Sequence, residues 1–300
     1  MPSIADRLAA LRRQRFVGRQ AELNLFQDHI NGPEFPVAVW HIVGPGGIGK
    51  TTLLLQLAQV ARTAGLSTCL IDGRNIPATP AGFLEALRQQ FAGAADPLQF
   101  LRSHDERIVL FIDTFEQLRP LDGWLREQFL PECPATMLTV VAGRQPPTLP
   151  WRTDTGWQAL LHQVNLRNFS PAESAHYLTQ NSLPDGRIKA IQAMTHGFPL
   201  ALSLVVAQHQ LEPENFAPVY SPDIIQALLA QILDQALPQT QREALEVLAL
   251  LRSTSEAALL ALTGSEAPAL FAWLQQLSFI ETGPYGIFPH ELARDTLLAE

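Results

Sequence analysis

The sequence predicts an α/β fold in its first half, a parallel sheet covered by helices on both faces, and helical modules in its second half. Three observations predict this. Apolar, β-branched runs alternate with helical stretches up to residue 166, the pattern of a parallel sheet with crossover helices. A glycine-rich loop joins the first run to its helix. After Ser170-Pro171 helical stretches follow one another until one short hairpin near the end.

Residues 1–14 read as a basic amphipathic helix, ended by Phe16-Val17-Gly18-Arg19, and Gln20 to Ile30 as another. Asn31-Gly32-Pro33 is a turn. Val37 to Val43 is apolar and β-branched, as a buried strand requires. Thr52 to Arg62 then carries Leu53, Leu54, Leu57, Ala58 and Ala61 at helical spacing. Ser67 to Ile71 is a second strand, Pro80 to Phe91 a helix, and Arg107 to Asp113 a third strand ending in an acid. Leu121 to Leu130 reads as a helix, and Thr136 to Arg144 as a fourth strand ending in a base. Residues 145–156 are rich in Pro and Thr and read as loop; a weaker run in Trp157 to Leu166 supplies a fifth strand.

Ser170 to Gln180, Asp185 to Thr195 and Phe198 to Gln210 read as three helices. A proline-rich linker, residues 211–222, precedes helices over Asp223 to Ala236, Gln239 to Leu251, Glu256 to Leu262 and Pro268 to Leu277. Phe279 to Phe288 turns through Gly283-Pro284 as a hairpin, and helices followed by one hairpin suggest a winged helix. The domains expected are an N-terminal helix over 1–15, a nucleotide-binding domain over 16–168, a small helical domain with linker over 169–220, and a winged helix over 221–300.

Between the first strand and its helix, Gly44-Pro45-Gly46-Gly47-Ile48-Gly49-Lys50-Thr51 fits GxxxxGK[ST]. The glycines let the backbone curl around an anion and turn its N–H groups inward. The helix that begins near Lys50 adds its positive end. Lys50 reaches the β- and γ-phosphates in this pattern, and the Thr51 hydroxyl ligates Mg²⁺. The first half therefore reads as an α/β P-loop NTPase with a parallel sheet of the ASCE type. Hydrolysis needs more: an acid for Mg²⁺, a group that positions water, and positive charge near the γ-phosphate. Asp113 ends its strand where ligands bind in open α/β sheets. Glu116, three residues on, can polarise the attacking water, and Arg144 can sense the γ-phosphate. The expected catalytic set is Lys50, Asp113, Glu116 and Arg144, with Thr51 and Asp113 on the metal.

This ordered set resembles the STAND class of P-loop ATPases, signal-transduction ATPases with numerous domains, which includes the NB-ARC and NACHT groups. Phe16 to Leu23 looks like the VGRxxEL motif that opens the domain, Gly44 to Thr51 like Walker A, and Leu110 to Glu116 like Walker B with NACHT-like spacing. Val141-Ala142-Gly143-Arg144 is similar to the sensor-1 strand, and Gly197 to Leu202 to the GxPLAL motif. The resemblance places Val17, Gly18 and Arg19 against the adenine, Gly44 to Thr52 around the phosphates, and Pro199 on the base. Phe288-Pro289-His290-Glu291-Leu292 is a looser match to the winged-helix motif whose histidine contacts the β-phosphate of ADP; its flanks depart from the NB-ARC triplet. The resemblance implies a regulatory switch, closed with ADP and open with ATP and Mg²⁺, self-associating in the ATP state and hydrolysing slowly. A DNA-binding regulator and a AAA-type remodelling ATPase are the alternatives.

Composition bounds the partners. Residues 1–19 hold five Arg against one Asp, whereas residues 221–300 hold three Arg against ten acids. The second balance disfavours a duplex-binding winged helix, which needs a positive surface. The sequence holds no unbroken apolar run of membrane-spanning length and no secretory leader pattern. Its two cysteines, Cys69 and Cys133, fall in or beside expected core elements and read as free thiols. A cytoplasmic protein is the expectation, and a sensor or effector domain is expected to follow Glu300.

Overall fold

The computed structural model describes residues 16–91, 96–103, 106–211, 238–251, 253–275, 280–283, 286–289, 294, 297 and 298. The expected helices over 1–14 and Asp223 to Ala236, the linker from 212 on, and His290 lie outside the described residues. The chain divides into two compact units, residues 1–44 with 50–166 and residues 45–49 with 167–300.

The first unit is built on five strands: β1 (Val39–Val43), β2 (Ser67–Asp72), β3 (Ile108–Asp113), β4 (Met137–Gly143) and β5 (Leu161–Asn165). They lie in the order β2-β3-β4-β1-β5 and every pairing is parallel. β4 thus sits between the strand that feeds the glycine loop and the strand that ends in Asp113, the inserted-strand order that the ASCE type denotes. β1, β3 and β4 are buried along their whole length, which is why they read as unbroken apolar runs.

Helices cover both faces. On one, α1 (Gln20–Asn31) sets Phe26 edge-on to Trp40 with ring centroids 5.3 Å apart, and α2 (Lys50–Thr63) buries Leu53, Leu54, Leu57, Ala58 and Ala61. On the other, Phe83 and Leu87 of α3 (Pro80–Gln90) and Leu101 of α4 (Pro97–Ser103) share a core with Leu118, Leu121, Leu125 and Phe129. Cys69 is buried and Cys133 partly so, both free, and burial pushes both thiols up to about 12.

Three features differ from the sequence expectation. The helix expected over Leu121 to Leu130 is instead a 3-10 stretch Phe115–Leu121, one α turn Asp122–Trp124, and a π turn Leu125–Phe129. Pro120, inside the 3-10 stretch, has no N–H to donate within that stretch. The expected loop over 145–156 contains α5 (Leu149–Thr153) and the start of α6 (Thr155–Leu160), so that β5 begins only at Leu161. Asp122 explains the order there: its carboxylate accepts from Trp151 Nε1 at 2.9 Å and Thr148 Oγ1 at 2.7 Å. Helix α4 had no counterpart in the sequence reading.

The second unit contains α7 (Pro171–Gln180), α8 (Asp185–Thr195) and α9 (Pro199–Leu211), which bury Leu178, Ile191, Leu202, Val205 and Val206 together. A capping box starts α7: Glu173 N donates to Ser170 Oγ at 3.2 Å and Ser170 N to Glu173 Oε2 at 2.7 Å. A separate core joins α10 (Gln239–Leu251), α11 (Glu256–Thr263) and α12 (Ala267–Leu274) to an antiparallel hairpin, β6 (Ile280–Gly283) with β7 (Gly286–Pro289). The stretch Glu256–Leu274 is apolar and long enough to cross a membrane by composition. It is broken at Gly264, where φ is 68°, and it turns Leu259, Ala267, Leu270 and Leu274 into this core.

Candidate nucleotide site

The glycine loop leaves the carboxyl end of β1 and delivers Lys50 as the first residue of α2. Gly47 and Gly49 have φ of 76° and 94°, a region costly for any side chain with a Cβ. Lys50 is 9 % exposed, and its Nζ donates to Gly44 O at 2.6 Å. Burial lowers its pKa to about 8; Glu116 and Asp113 oppose that shift and Arg144 adds to it. Thr51 and Thr52 follow in the first turn of α2 and are exposed.

Parallel register brings the other strand ends alongside. Val43 of β1 lies opposite Gly143 of β4, and Gly44 N donates to Gly143 O at 3.3 Å. Arg144 therefore leaves the sheet beside the loop. Asp113, 5 % exposed, ends β3, and its Oδ1 accepts from Thr114 N at 2.9 Å. Thr114 has φ of 54°, a left-handed kink that turns the chain off the sheet and sets Glu116 in the first turn of the 3-10 stretch. Arg144 Nε meets Glu116 Oε1 at 3.0 Å. Lys50, Asp113, Glu116 and Arg144 thus gather at one end of the sheet in the first unit.

Other predicted residues are placed separately. Val17 and Arg19 are buried at 6 % and 3 % exposure, just before α1. Gly18 and Arg19 have φ of 74° and 59°, and Arg19 Nη1 lies 3.8 Å from Glu22 Oε1. Pro199 opens α9 in the second unit, after Gly197, whose φ is 74°. A Cβ on Gly197 would collide with Phe169 O and stand 3.1 Å from Ser174 Oγ. That position admits only glycine on grounds of packing, whatever else the motif does.

Two residues near the site escaped sequence reasoning as participants. Asp72 ends β2 opposite Asp113 in register, but Arg74 clamps it at 2.7 Å and holds its carboxyl below the usual range; a strand end followed by Asp-Gly was the available signal. His41 is 5 % exposed on β1, and burial, with Arg119 nearby, lowers its pKa to about 4.

The donor set fits Mg²⁺ with a nucleotide. Among the described residues no cluster of three or more His, Cys, Asp or Glu could hold a metal unaided. Mg²⁺ in phosphate sites asks for less: one or two protein oxygens, waters and the phosphates themselves. An exposed hydroxyl at Thr51 and a carboxylate at Asp113 match that demand.

Sheet order, glycine loop and strand-end acid together define an α/β P-loop ATPase fold. Solved structures agree: Cdc6p from Pyrobaculum aerophilum superposes with a TM-score of 0.51 at 13 % identity, over 95 % of both chains. A RuvB variant from Thermotoga maritima gives 0.50 at 20 % identity, over 94 % of this chain and 95 % of its own. Orc1 from Aeropyrum pernix, solved in complex with DNA, was also matched, at a TM-score of 0.48 and 13 % identity over 95 % of this chain and 92 % of its own, a likeness on which no argument rests. No protein-family model and no curated protein matches the chain.

Proposed function

We propose that this chain is an ATPase of regulatory type, a nucleotide-dependent switch of the STAND kind. It binds ADP or ATP with Mg²⁺ through Gly44 to Thr52, with Val17, Gly18 and Arg19 at the adenine and Pro199 on the base. The observation that carries the reading is the convergence of Lys50, Asp113, Glu116 and Arg144 at the carboxyl edge of the sheet. Thr51 and Asp113 would hold the metal, which when bound would supply positive charge against the phosphates. Asp113 fixes its side of the metal site through its bond from Thr114 N, Glu116 accepts a proton from water, and Lys50 and Arg144 offset phosphate charge. The small helical domain over 169–220, the winged helix over 221–300 and His290 at the β-phosphate complete a closed ADP state; ATP opens it and permits self-association.

A AAA-type remodelling ATPase is the second reading. The fold likeness to Cdc6p and to RuvB supports it as well as it supports the first. Releasing and identifying the nucleotide from protein as purified separates them. Tightly held ADP with slow turnover supports the switch, whereas an empty site, fast turnover and constitutive rings support the remodelling ATPase. Salt-sensitive binding to duplex DNA would count against the acidic balance of residues 221–300 as a barrier.

A further inference from the structure

One cavity beside the Glu116–Arg144 pair is lined by three residues that each carry a buried polar atom without a hydrogen-bond partner. It is lined by His41, Glu116, Arg119, Arg144, Gln145 and Thr148 among others, and its volume is about 10 Å³. The three atoms are His41 Nδ1, Glu116 Oε2 and Arg144 Nη1. The ion pair uses Arg144 Nε and Glu116 Oε1 only, so it is half satisfied, and a half-satisfied buried network is costly. The volume is close to the least that holds one water, which needs two to four polar partners. The chemistry matches atom for atom: Arg144 Nη1 donates to the water, the water donates to Glu116 Oε2, and His41 Nδ1 takes a further bond.

We propose that His41, Glu116 and Arg144 build a site for one ordered water, and that through it His41 is a positioning residue for the Glu116–Arg144 pair. His41 suits the task because burial keeps it neutral, able to donate or accept, on a strand buried along its whole length. The water fixes the carboxylate that is to accept a proton and the guanidinium that is to meet phosphate. The functional half of this inference rests on the ATPase reading; the water site does not.

A high-resolution crystal structure tests the site directly. It should show one water within about 3.2 Å of all three atoms. A water bonded instead to Thr139 Oγ1, which lines a second, mainly apolar cavity with His41, with none at Glu116 and Arg144, overturns it. So does an empty cavity. In His41→Phe the water should be lost and kcat should fall about tenfold, with ADP affinity, KM for ATP and unfolding midpoint at pH 7.5 little changed. His41→Gln, which retains polar atoms, should recover part of kcat. An unchanged kcat in His41→Phe, or an equal loss in both variants, sinks the positioning role. If the wild type shows no ATPase activity, the ATPase reading fails while the crystallographic test of the water stands.

Discussion

Lys50 enters its site with an ammonium already weakened by burial, its pKa near 8 rather than 10.5. A bound polyphosphate favours the charged form, so the complex should hold a proton that the empty site loses above pH 8. Nucleotide affinity should therefore fall as pH rises through about 8, approaching tenfold per unit. Titration calorimetry at pH 8.5 in buffers of differing ionisation enthalpy should show proton uptake on binding; none would mean Lys50 does not meet the phosphates. Lys50→Ala should abolish binding, and Asp113→Ala should abolish turnover. His41 behaves oppositely in kind. Its folded pKa, about 4, lies below the ordinary 6.5, so between those values the unfolded chain binds the extra proton and stability falls as pH drops. The loss is about 2 kcal/mol at pH 5. Urea unfolding at pH 7.5 and pH 5 should reveal it, and His41→Gln should remove that share of the acid sensitivity.

Among the elements, α7 to α9 depend on a single tight turn. His196 and Gly197 both take positive φ, 48° and 74°, Phe169 N donates to Gly197 O at 2.9 Å, and Gly197 lies against Phe169 O itself. Gly197→Ala would meet both the left-handed backbone cost and the collision, a loss of at least about 2 kcal/mol. Hydrogen exchange should accelerate across residues 169–211 while β1, β3 and β4 keep their protection; uniform protection in the variant would remove this account. The same contrast explains what was legible in the sequence. The periodic apolar faces of α2 and α3 and the unbroken runs of β1, β3 and β4 depend on near neighbours in sequence, and they were read within a few residues. Helix α5 is tied to Asp122, a partner 26 and 29 residues upstream of Thr148 and Trp151, and no local pattern announces that. At the site, the glycine loop, Asp113 and Arg144 were visible because strand-end chemistry is local. The pairing of Arg144 with Glu116 and the place of His41 beside them come from the parallel register of β4 with β3 and with β1.

For the whole molecule, a switch must convert one phosphoryl group into a change of population. Moving an equilibrium from 1:99 to 99:1 takes about 5.5 kcal/mol of differential binding. Charge-assisted hydrogen bonds contribute about 1.5–3 kcal/mol each, so Lys50 and Arg144, which the proposed site assigns to the terminal phosphate, would reach that order together and neither alone. A variant that keeps both cations and loses only the water-activating carboxylate should hold the ATP state without consuming it. Glu116→Gln with ATP and Mg²⁺ should therefore show larger, longer-lived assemblies than the wild type by light scattering coupled to size exclusion, and both should be monomeric with ADP. Arg144→Ala should halve the differential energy and leave ATP and ADP samples nearly alike in size. If Glu116→Gln assembles equally with ADP and ATP, the γ-phosphate does not set the population, and constitutive assembly, the remodelling reading, gains instead.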